Sequence, residues 1–404
     1  MSEAVASHLR PVASFDVADH PMPTKRDEVW RFAPLEKLAP LLSDGRKTSS
    51  GVVMSPVPEG VVVSELTRDD LIARDVQAPF DRIAAVAFAR ATSIVHLDVP
   101  AGFGGGGQVG RTVSIDGGIA HGSTLVTVGA NAQITIVTRH TGAGTYGEYT
   151  HLEVGPGARV TFVSIQDWAP GAVHGGQQSI HVGRDASVKM VTVSLGGDVV
   201  RLTQTARLDA PGGRVEQFGV GFVDAGQHIE HRLSVDHIAP HTSSNVDYRN
   251  VVQGEVRSDG MRETSGMAGT IGAGGGAAGR NITARSVWVG DVLIRKTAED
   301  IETYEANKNL VLTDGCRVDS VPNLEIETGQ IRGAGHSSAT GRFDAEQLFY
   351  LCSRGIPEDE ARRLVVSGFL ADIVRRIGVP EVEDEVLASI EGKLAAPTTA
   401  TTQE

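Results

Sequence analysis

Cysteine, aromatic residues and long apolar runs are all scarce in this sequence. Two cysteines among 404 residues exclude a disulfide framework and favour a reducing compartment. No apolar run approaches the roughly 18 residues of a membrane helix. The segment Met1–Val5 lacks the basic and apolar parts of a secretory signal. We therefore expect a cytoplasmic protein that does not associate with a membrane.

Positive charge is also in short supply. The chain has 37 Lys and Arg against 50 Asp and Glu, a formal net charge of −13. General nucleic-acid binding and membrane-surface binding both need clustered positive charge, so this balance argues against both. Glycine, by contrast, is abundant, with 48 residues, while aromatic residues make up 5%. This composition suits a chain that turns often and stacks small aliphatic side chains, and it does not suit a long helical bundle.

Common catalytic motifs are absent as well. The sequence has no Gly-x-Ser-x-Gly, no Cys-x-x-Cys and no His-Glu-x-x-His. Two histidine pairs, His228 with His231 and His237 with His241, suggest a metal site. On a strand, however, residues i and i+3 point to opposite faces, and Pro240 interrupts the second pair. We favour the alternative, that these are scattered polar positions on an open surface.

A repeat is present in the middle of the chain. A unit of apolar residue, turn, small residue and second apolar residue ends at Ile134, Val160 and Val188, and a looser copy ends at Val215. These positions are spaced 26, 28 and 27 residues apart. An antiparallel sandwich also uses short strands but gives no reason for a fixed period. We therefore predict a β-helix whose coils stack these four side chains as successive layers of one core.

The repeat divides the chain into three regions. Residues 1–93 are predicted to be mostly helical, 94–340 to form the β-helix core, and 341–404 to form a C-terminal helical domain. Within the core, residues 255–283 are rich in Gly and Ala and are predicted to be a flexible insertion. A phosphate-binding glycine loop is the alternative, but no Lys-Ser/Thr follows.

Three short helices are predicted after residue 341. The second begins at Pro357 and carries acidic residues in its first turn, which favours a helix start. One buried face is predicted for it, formed by Ala361, Leu364, Val365, Gly368/Phe369 and Ile373. The third helix is predicted from Pro380 to Leu394.

Neither cysteine is a strong candidate for chemistry. Cys316 falls in the small-residue position that Ala132, Ala158 and Ala186 occupy in other repeats, which predicts a buried, inert thiol. Cys352 is predicted to pack within a helix. His336 is different, because the glycines around it at the junction of core and helices leave it uncrowded. A functional imidazole and an ordinary surface-loop histidine both remain open for it.

Seven short segments of the sequence form a recognisable set of motifs. They are Trp30–Leu35, Pro240–Ser244, Asn307–Leu312, Pro322–Ile326, Gly335–Gly341, Glu346–Leu351 and Ser353–Ile356. In these segments the chain resembles the SufB/SufD family of scaffold proteins from the SUF iron–sulfur cluster assembly machinery. The resemblance spans nearly the whole chain and is most specific in the C-terminal part.

The resemblance implies a right-handed parallel β-helix core between helical ends, and a scaffold rather than an enzyme. SufB and SufD pair through their cores, and each docks the ATPase SufC through its C-terminal helices. SufB carries a cysteine in the segment matching Asn307–Asn309 and a His-Glu pair where this chain has His336-Ser337. The chain is therefore similar to SufD, whose histidine at the His336 position is implicated in cluster assembly.

The resemblance also sets expectations for cofactors and partners. We expect no cofactor bound tightly to this chain alone, and a transient iron–sulfur cluster at the interface with SufB. Whether a flavin binds, and whether the chain forms a homodimer without SufB, are left open. Phe349, Tyr350, Arg354 and Ile356 surround a sharp turn between two helices, and we expect them to contact SufC. The alternative is that the aromatic pair packs back onto the β-helix.

Two other functions compete with this hypothesis. A β-helical carbohydrate-active enzyme would need paired carboxylates on a groove, and scarce aromatic residues are unfavourable for sugar stacking. A SufB-type scaffold that holds a cluster by itself is disfavoured because the two cysteines are badly placed and such clusters usually take about four thiolates.

Overall fold

The computed structural model of the protein describes residues 12–43, 51–74, 76–104, 106–254, 284–343 and 345–395. These residues contain sixteen strands: β1 (Gly51–Met54), β2 (Val62–Leu66), β3 (Ile94–Val99), β4 (Gly107–Val128), β5 (Gln133–Val154), β6 (Arg159–Trp168), β7 (Val173–Val182), β8 (Ser187–Ser194), β9 (Val199–Leu208), β10 (Arg214–Val223), β11 (His228–His237), β12 (Ser243–Val252), β13 (Ala284–Ile294), β14 (Ile301–Val311), β15 (Cys316–Ile326) and β16 (Ile331–Arg342).

The same residues contain six α-helices. Three precede the long strands and three follow them: α1 (Leu35–Leu42), α2 (Arg68–Ile72), α3 (Arg82–Arg90), α4 (Ala345–Ser353), α5 (Glu358–Arg375) and α6 (Pro380–Ala395). The last three correspond to the three helices that the sequence predicts after residue 341. None of the described helices has the length and apolar character needed to cross a membrane.

The strands wind into a parallel β-solenoid of about eight turns. We define sheet I as the first halves of β4 and β5 followed by β6, β8, β10, β12, β14 and β16. Sheet II contains β3, the second halves of β4 and β5, and then β7, β9, β11, β13 and β15. Neighbouring strands within each sheet are parallel, so the predicted β-helix is confirmed and the antiparallel sandwich is excluded.

The four predicted core positions stack as successive layers of sheet I. Ile134 lies opposite Val160, Val160 opposite Val188, and Val188 opposite Val215. All four are buried in the core between the two sheets. The prediction made from the 26-, 28- and 27-residue spacings is therefore confirmed.

The turn inside each repeat depends on one residue with an unusual backbone conformation. Before each sheet I strand from β5 to β14, one residue has a positive φ, a conformation that favours Gly, Asn and Asp. The backbone N–H of each donates to a carbonyl of the next turn, as Asn131 does to Pro156 at 2.8 Å. These hydrogen bonds connect each turn to the next one and hold the turns at the same edge of the solenoid. The residues with the positive φ are Asn131, Gly157, Asp185, Gly212, His241 and Asp300.

The N-terminal helices cover the outer face of sheet II. Gly175 on β7 permits this close approach, because an added Cβ would lie 2.9 Å from the side chain of Ile83 on α3. The fully buried Arg201 anchors the layer by donating to Oδ2 of Asp81 at 2.9 Å, and its guanidinium stacks over Trp30. The region is less helical than predicted, since β1 and β2 pair antiparallel with β4 and β3.

The C-terminal helices α5 and α6 cover the outer face of sheet I. Their apolar side chains form one cluster with outward-facing residues of β5, β6, β8, β10 and β12. The predicted buried face of α5 is partly wrong, because Leu364 is 51% exposed whereas Val366 and Leu370 are buried. The helix packs against sheet I, α4 and α6, and these neighbours together determine which of its side chains are buried. The predicted insertion at residues 255–283 lies outside the described residues.

Candidate functional site

His336 lies at the open end of the solenoid. In the described chain, β16 is the last strand of sheet I and β15 is the last strand of sheet II. His336 is in register with Glu305 of β14, which in turn lies opposite Val246 of β12. Glu305 and Val246 are buried side chains of the interior face, so His336 points inward at the rim. Its side chain is 44% exposed because no further coil covers it in the part of the chain described.

Glu305 is a buried carboxyl group beside His336. Oε1 of Glu305 lies 3.9 Å from Nδ1 of His336, and the Glu305 side chain is only 2% exposed. Among the described residues, neither carboxyl oxygen has a hydrogen-bond partner. Burial raises the pKa of Glu305 to about 8, and the charge of Asp291 adds to this effect. Buried polar groups are nearly always hydrogen-bonded, so this carboxyl group needs an explanation.

The opposite sheet makes room for this carboxyl group. Gly290 lies on β13 of sheet II, and a Cβ at that position would lie 2.5 Å from Oε2 of Glu305 and would also meet the ring of Trp288. Nε1 of Trp288 is buried without a hydrogen-bond partner in the described structure. The open end therefore combines a tightly filled interior with buried polar atoms that have no hydrogen-bond partner among the described residues.

The predicted partner-binding residues lie on a separate element, α4, and the turn after it. Phe349 and Tyr350 are 74% and 56% exposed, which contradicts the alternative that this pair packs onto the β-helix. The guanidinium of Arg354 stacks over the ring of Tyr350 at 5.0 Å. Ile356 is half-buried. These four residues form what we call the α4 patch.

The histidine pairs form no metal site, because each member has a separate role. His231 points into the core, where Nε2 contacts Ser194, and burial lowers its pKa to about 4. His228, on the opposite face of β11, is buried beside Glu230. The interpretation as open-surface positions is therefore wrong for this pair, although the opposite orientation is as predicted.

The second pair is also separated. His237 is buried between the hydroxyl groups of Thr242 and Ser244. His241 is the exposed positive-φ residue of its turn, and its Nδ1 lies 3.2 Å from Asp300 in the next turn. Both side chains thus make their contacts in or next to the turn between β11 and β12.

A second group of ligand-type side chains lies in the interior near the N-terminal end of the solenoid. His140, Glu148 and His174 are buried, and one potential ligand atom of each lies within 4.8 Å of the others. Nε2 of His140 is 3.5 Å from Oε2 of Glu148, and Nε2 of His174 is 3.5 Å from Oε1. Two imidazoles and a carboxylate are a donor set that transition metals use.

The surroundings of this group favour a buried polar network over a metal ion. Nε1 of Trp168 donates to Nδ1 of His174 at 3.2 Å, which puts the proton of the neutral imidazole on Nε2, the atom that would have to bind the ion. Arg111 lines the same cavity as Glu148, and its positive charge opposes a cation there. Glu148 instead accepts a hydrogen bond from Gln178 at 2.7 Å.

The pKa values in this group agree with a carboxylate among donors. Burial raises the pKa of the Glu148 carboxyl, but the facing imidazoles of His140 and His174 outweigh burial and hold that pKa well below its ordinary value. Burial lowers the pKa of His174, which keeps that ring neutral. We therefore interpret this group as part of the structural core.

The predicted position of Cys316 within the repeat is wrong. Cys316 begins β15 and lies opposite Ala284 of sheet II, whereas Ala132, Ala158 and Ala186 precede strands of sheet I. The thiol is half-buried, and burial raises its pKa, which agrees with an unreactive group. Cys352 is also half-buried.

Glu305 is the residue that the sequence analysis missed. The repeat could have assigned it to the interior if the count had continued from Val215 through β12 to β14. The 255–283 segment interrupts the period between these strands, so no register could be carried across it. His140, Glu148 and His174 belong to no local motif and meet only through the pairing of β5 with β7.

Comparison with known proteins places this geometry in a family. The SUF system FeS cluster assembly, SufBD core domain, matches residues 111–263 and 276–369, together more than half of the chain. The chain belongs to the SufBD family. An iron–sulfur cluster assembly SufBD family protein of Mycobacterium tuberculosis is 44% identical over 386 residues, 95% of this chain and 92% of that protein. A Mycobacterium leprae member is 42% identical over 390 residues, 95% and 93% of the two chains.

The branch within the SufBD family is a separate question. The iron–sulfur cluster assembly protein SufD of Bacillus subtilis is 37% identical over 112 residues, 28% of this chain and 25% of that protein. This partial match agrees with the family but does not distinguish SufD from SufB. Membership in the SufBD family also disfavours the carbohydrate-active alternative. The match to the SufBD core leaves out residues 264–275, which lie within the predicted insertion.

Proposed function

We propose that this SufBD family protein is a non-enzymatic, SufD-like scaffold subunit of a SUF iron–sulfur cluster assembly complex. Its open end pairs with the core of a SufB-type scaffold, and its α4 patch docks a SufC-type ATPase. The complex works in the reducing cytoplasm, which suits the two free thiols of this chain. The observation that carries the proposal is the open end of the solenoid, where His336 faces inward.

The pairing surface is supported by the two terminal strands. β15 and β16 each pair on one side only within the described chain, and an unpaired strand edge is a template for another chain. Leu324 and Ile331 are only partly buried against the core, and Ile326 is 41% exposed. A second solenoid end would cover these side chains, and co-expression with a SufB-type scaffold should yield a stable complex.

The role of His336 follows from the same surface. A neutral imidazole can replace a thiolate on iron, and this side chain is accessible at the rim. The chain has no cysteine in the segment Asn307–Asn309, so thiolates for the transient cluster would come from the partner.

The test of this role uses the assembled complex. His336→Ala should lower the yield of iron–sulfur cluster without dissociating the complex. His241→Ala is the matched control, since this histidine is also exposed but lies in a turn between β11 and β12. Equal cluster yields in the His336 variant and the wild type would refute the role.

The docking of the ATPase is supported by the exposure of the α4 patch. Large aromatic side chains beside an arginine are typical of protein-binding sites, and the apolar faces of α5 and α6 are already occupied by sheet I. Phe349→Glu and Tyr350→Glu should therefore weaken capture of a SufC-type ATPase and leave the fold intact. Met22→Glu, at another exposed apolar residue, is the control. Undiminished capture by both α4 variants would place the docking surface elsewhere.

A further inference from the structure

The buried carboxyl group of Glu305 has no hydrogen-bond partner in the part of the chain that the structure describes. Its two oxygens accept no hydrogen bond among the described residues, although the side chain is almost fully buried. The charge of Asp291, which lies on the outer face of β13, also disfavours the charged form of this carboxyl group. A buried acidic group of this kind is costly unless a donor or a cation completes it.

Access to this group exists from one direction. Glu305 is the interior residue directly behind His336, and His336 stands at the rim of the open end. Within the described structure, the glycine at position 290 is what leaves the carboxyl group its space. An ion that reaches the imidazole of His336 therefore meets the Glu305 carboxylate next.

The spacing of the two donors suits a shared ion. Nδ1 of His336 and Oε1 of Glu305 are 3.9 Å apart, which is too long for a hydrogen bond. A transition metal ion binds imidazole nitrogen and carboxylate oxygen at about 2.1 Å, so one ion bridges the two atoms only if they lie within roughly 4.2 Å. The observed separation lies within this limit, and a small rotation of the exposed imidazole brings the two atoms to the roughly 3.4 Å that a tetrahedral ion requires.

We propose that Glu305 and His336 together form a binding site for a divalent transition metal ion at the open end of the solenoid. The identity of the ion as ferrous iron rests on the proposed function. Carboxylate and imidazole are suitable ligands for Fe²⁺, and the remaining coordination positions face the open end, where water or a partner supplies them. Glu305 thus holds the metal just inside the rim, beside His336, before any thiolate is present.

The His140, Glu148 and His174 group does not compete with this assignment. There the carboxylate already accepts a hydrogen bond, one imidazole carries its proton on the inward nitrogen, and an arginine is near. At the open end, the carboxyl group of Glu305 accepts no hydrogen bond from the described residues, and the charge of Asp291 acts on it with the same sign. Glu305 therefore keeps free oxygens for a cation, whereas the oxygens of Glu148 already face donors of the chain.

The test measures metal binding rather than cluster yield. The full-length chain, alone and in complex with a SufB-type scaffold, is titrated with Co²⁺ as a spectroscopic probe and with Fe²⁺ under anaerobic conditions. The variants are Glu305→Gln and Glu305→Asp. The control is Glu302→Gln, because Glu302 lies on the same strand but is exposed on the outer face.

Wild type and Glu302→Gln should bind one equivalent of metal and melt at a higher temperature with it. Glu305→Gln should bind roughly tenfold or more weakly and lose the thermal shift, while its metal-free melting stays close to wild type. Glu305→Asp keeps the carboxylate and should retain part of the affinity. Wild-type affinity in Glu305→Gln, or no binding by the wild type in either form, would overturn the proposal.

The two proposals fail separately. A wild-type chain that captures the SufB-type scaffold but binds no metal leaves the scaffold function standing and refutes the Glu305 site. A chain that binds metal through Glu305 but captures no scaffold supports the site and refutes the pairing.

Discussion

The two ends of the solenoid interior contain the same kinds of side chain in opposite states. Near the N-terminal end, Glu148 lies between His140 and His174, and its pKa is held well below the ordinary value. At the open end, Glu305 lies beside His336, and its pKa is raised to about 8. Both carboxyl groups are buried, so burial alone does not explain the difference.

The number of facing donors explains it. Glu148 faces two imidazoles and accepts a hydrogen bond from Gln178, whereas Glu305 has one imidazole at 3.9 Å and no hydrogen bond in the described chain. A buried charge is retained when its partners are present and is suppressed when they are absent. The comparison indicates that the N-terminal end, which we call the closed end, supplies donors to its buried carboxylate, whereas the described residues at the open end do not.

The largest expected effect is at the closed end. Glu148→Gln removes the charge that the two imidazoles face and that accepts a hydrogen bond from Gln178, and each hydrogen bond lost to a buried charged group costs about 1.5–3 kcal/mol. Chemical denaturation should show this loss in the free energy of unfolding. The matched variant Glu305→Gln removes no hydrogen bond and should change stability by less than about 1 kcal/mol. Equal losses in both variants would mean that the two ends do not differ.

A smaller effect is expected from filling the space beside Glu305. Gly290→Ala places a Cβ 2.5 Å from Oε2 of Glu305, and overpacking of this kind typically costs about 1–3 kcal/mol. Gly329→Ala is the control, because a Cβ there would meet no atom within 4 Å. A thermal melt of Gly290→Ala that matches the control would show that the carboxyl group does not occupy this position.

The smallest effect on stability is expected for a histidine–carboxylate contact that is partly exposed to solvent. On the outer face of sheet II, His181 contacts Glu153 and Asp209, and the Glu153 contact leads the causes that raise the pKa of His181 to about 9. Because the folded state raises the pKa of His181, the charged ring makes its full contribution to the stability of the fold below pH ~6.5. This contribution disappears as the pH rises through about 9.

The variant His181→Gln isolates this contribution. It should be less stable than wild type by about 1 kcal/mol or less at pH 6, and the gap should close near pH 9.5. Added salt should narrow the gap at pH 6 as well. A gap that persists at pH 9.5 would assign the effect to packing instead of charge.

The fold could be predicted because its period is visible in the spacing of apolar and small side chains along the sequence. One coil of the solenoid separates each residue of the series Ile134, Val160, Val188 and Val215 from the next, and the positive-φ turns preserve this spacing. Cys316 was placed at the wrong edge because both turns of a coil use similar short motifs. The turn motif alone does not show whether the strand after it belongs to sheet I or to sheet II.

The site could be predicted only in part. His336 stood out because glycines surround it, and the structure places it at the open end, but its role in cluster assembly stays a prediction. Glu305 required the strand register across residues 255–283, and no local pattern carries that information. The exposed position of Leu364 depends on how α5 packs against sheet I, α4 and α6 at once. Such features arise from tertiary contacts and not from spacing along the chain.

Hydrogen exchange on the assembled complex tests the central claim most directly. The claim is that the open end of the solenoid is the surface that a SufB-type scaffold completes. Adding that scaffold should slow exchange of the backbone amides of β15 and β16, and should leave β1 and β2 at the other end unchanged. Slowed exchange confined to β1 and β2, with β15 and β16 exchanging as in the free chain, would contradict the account.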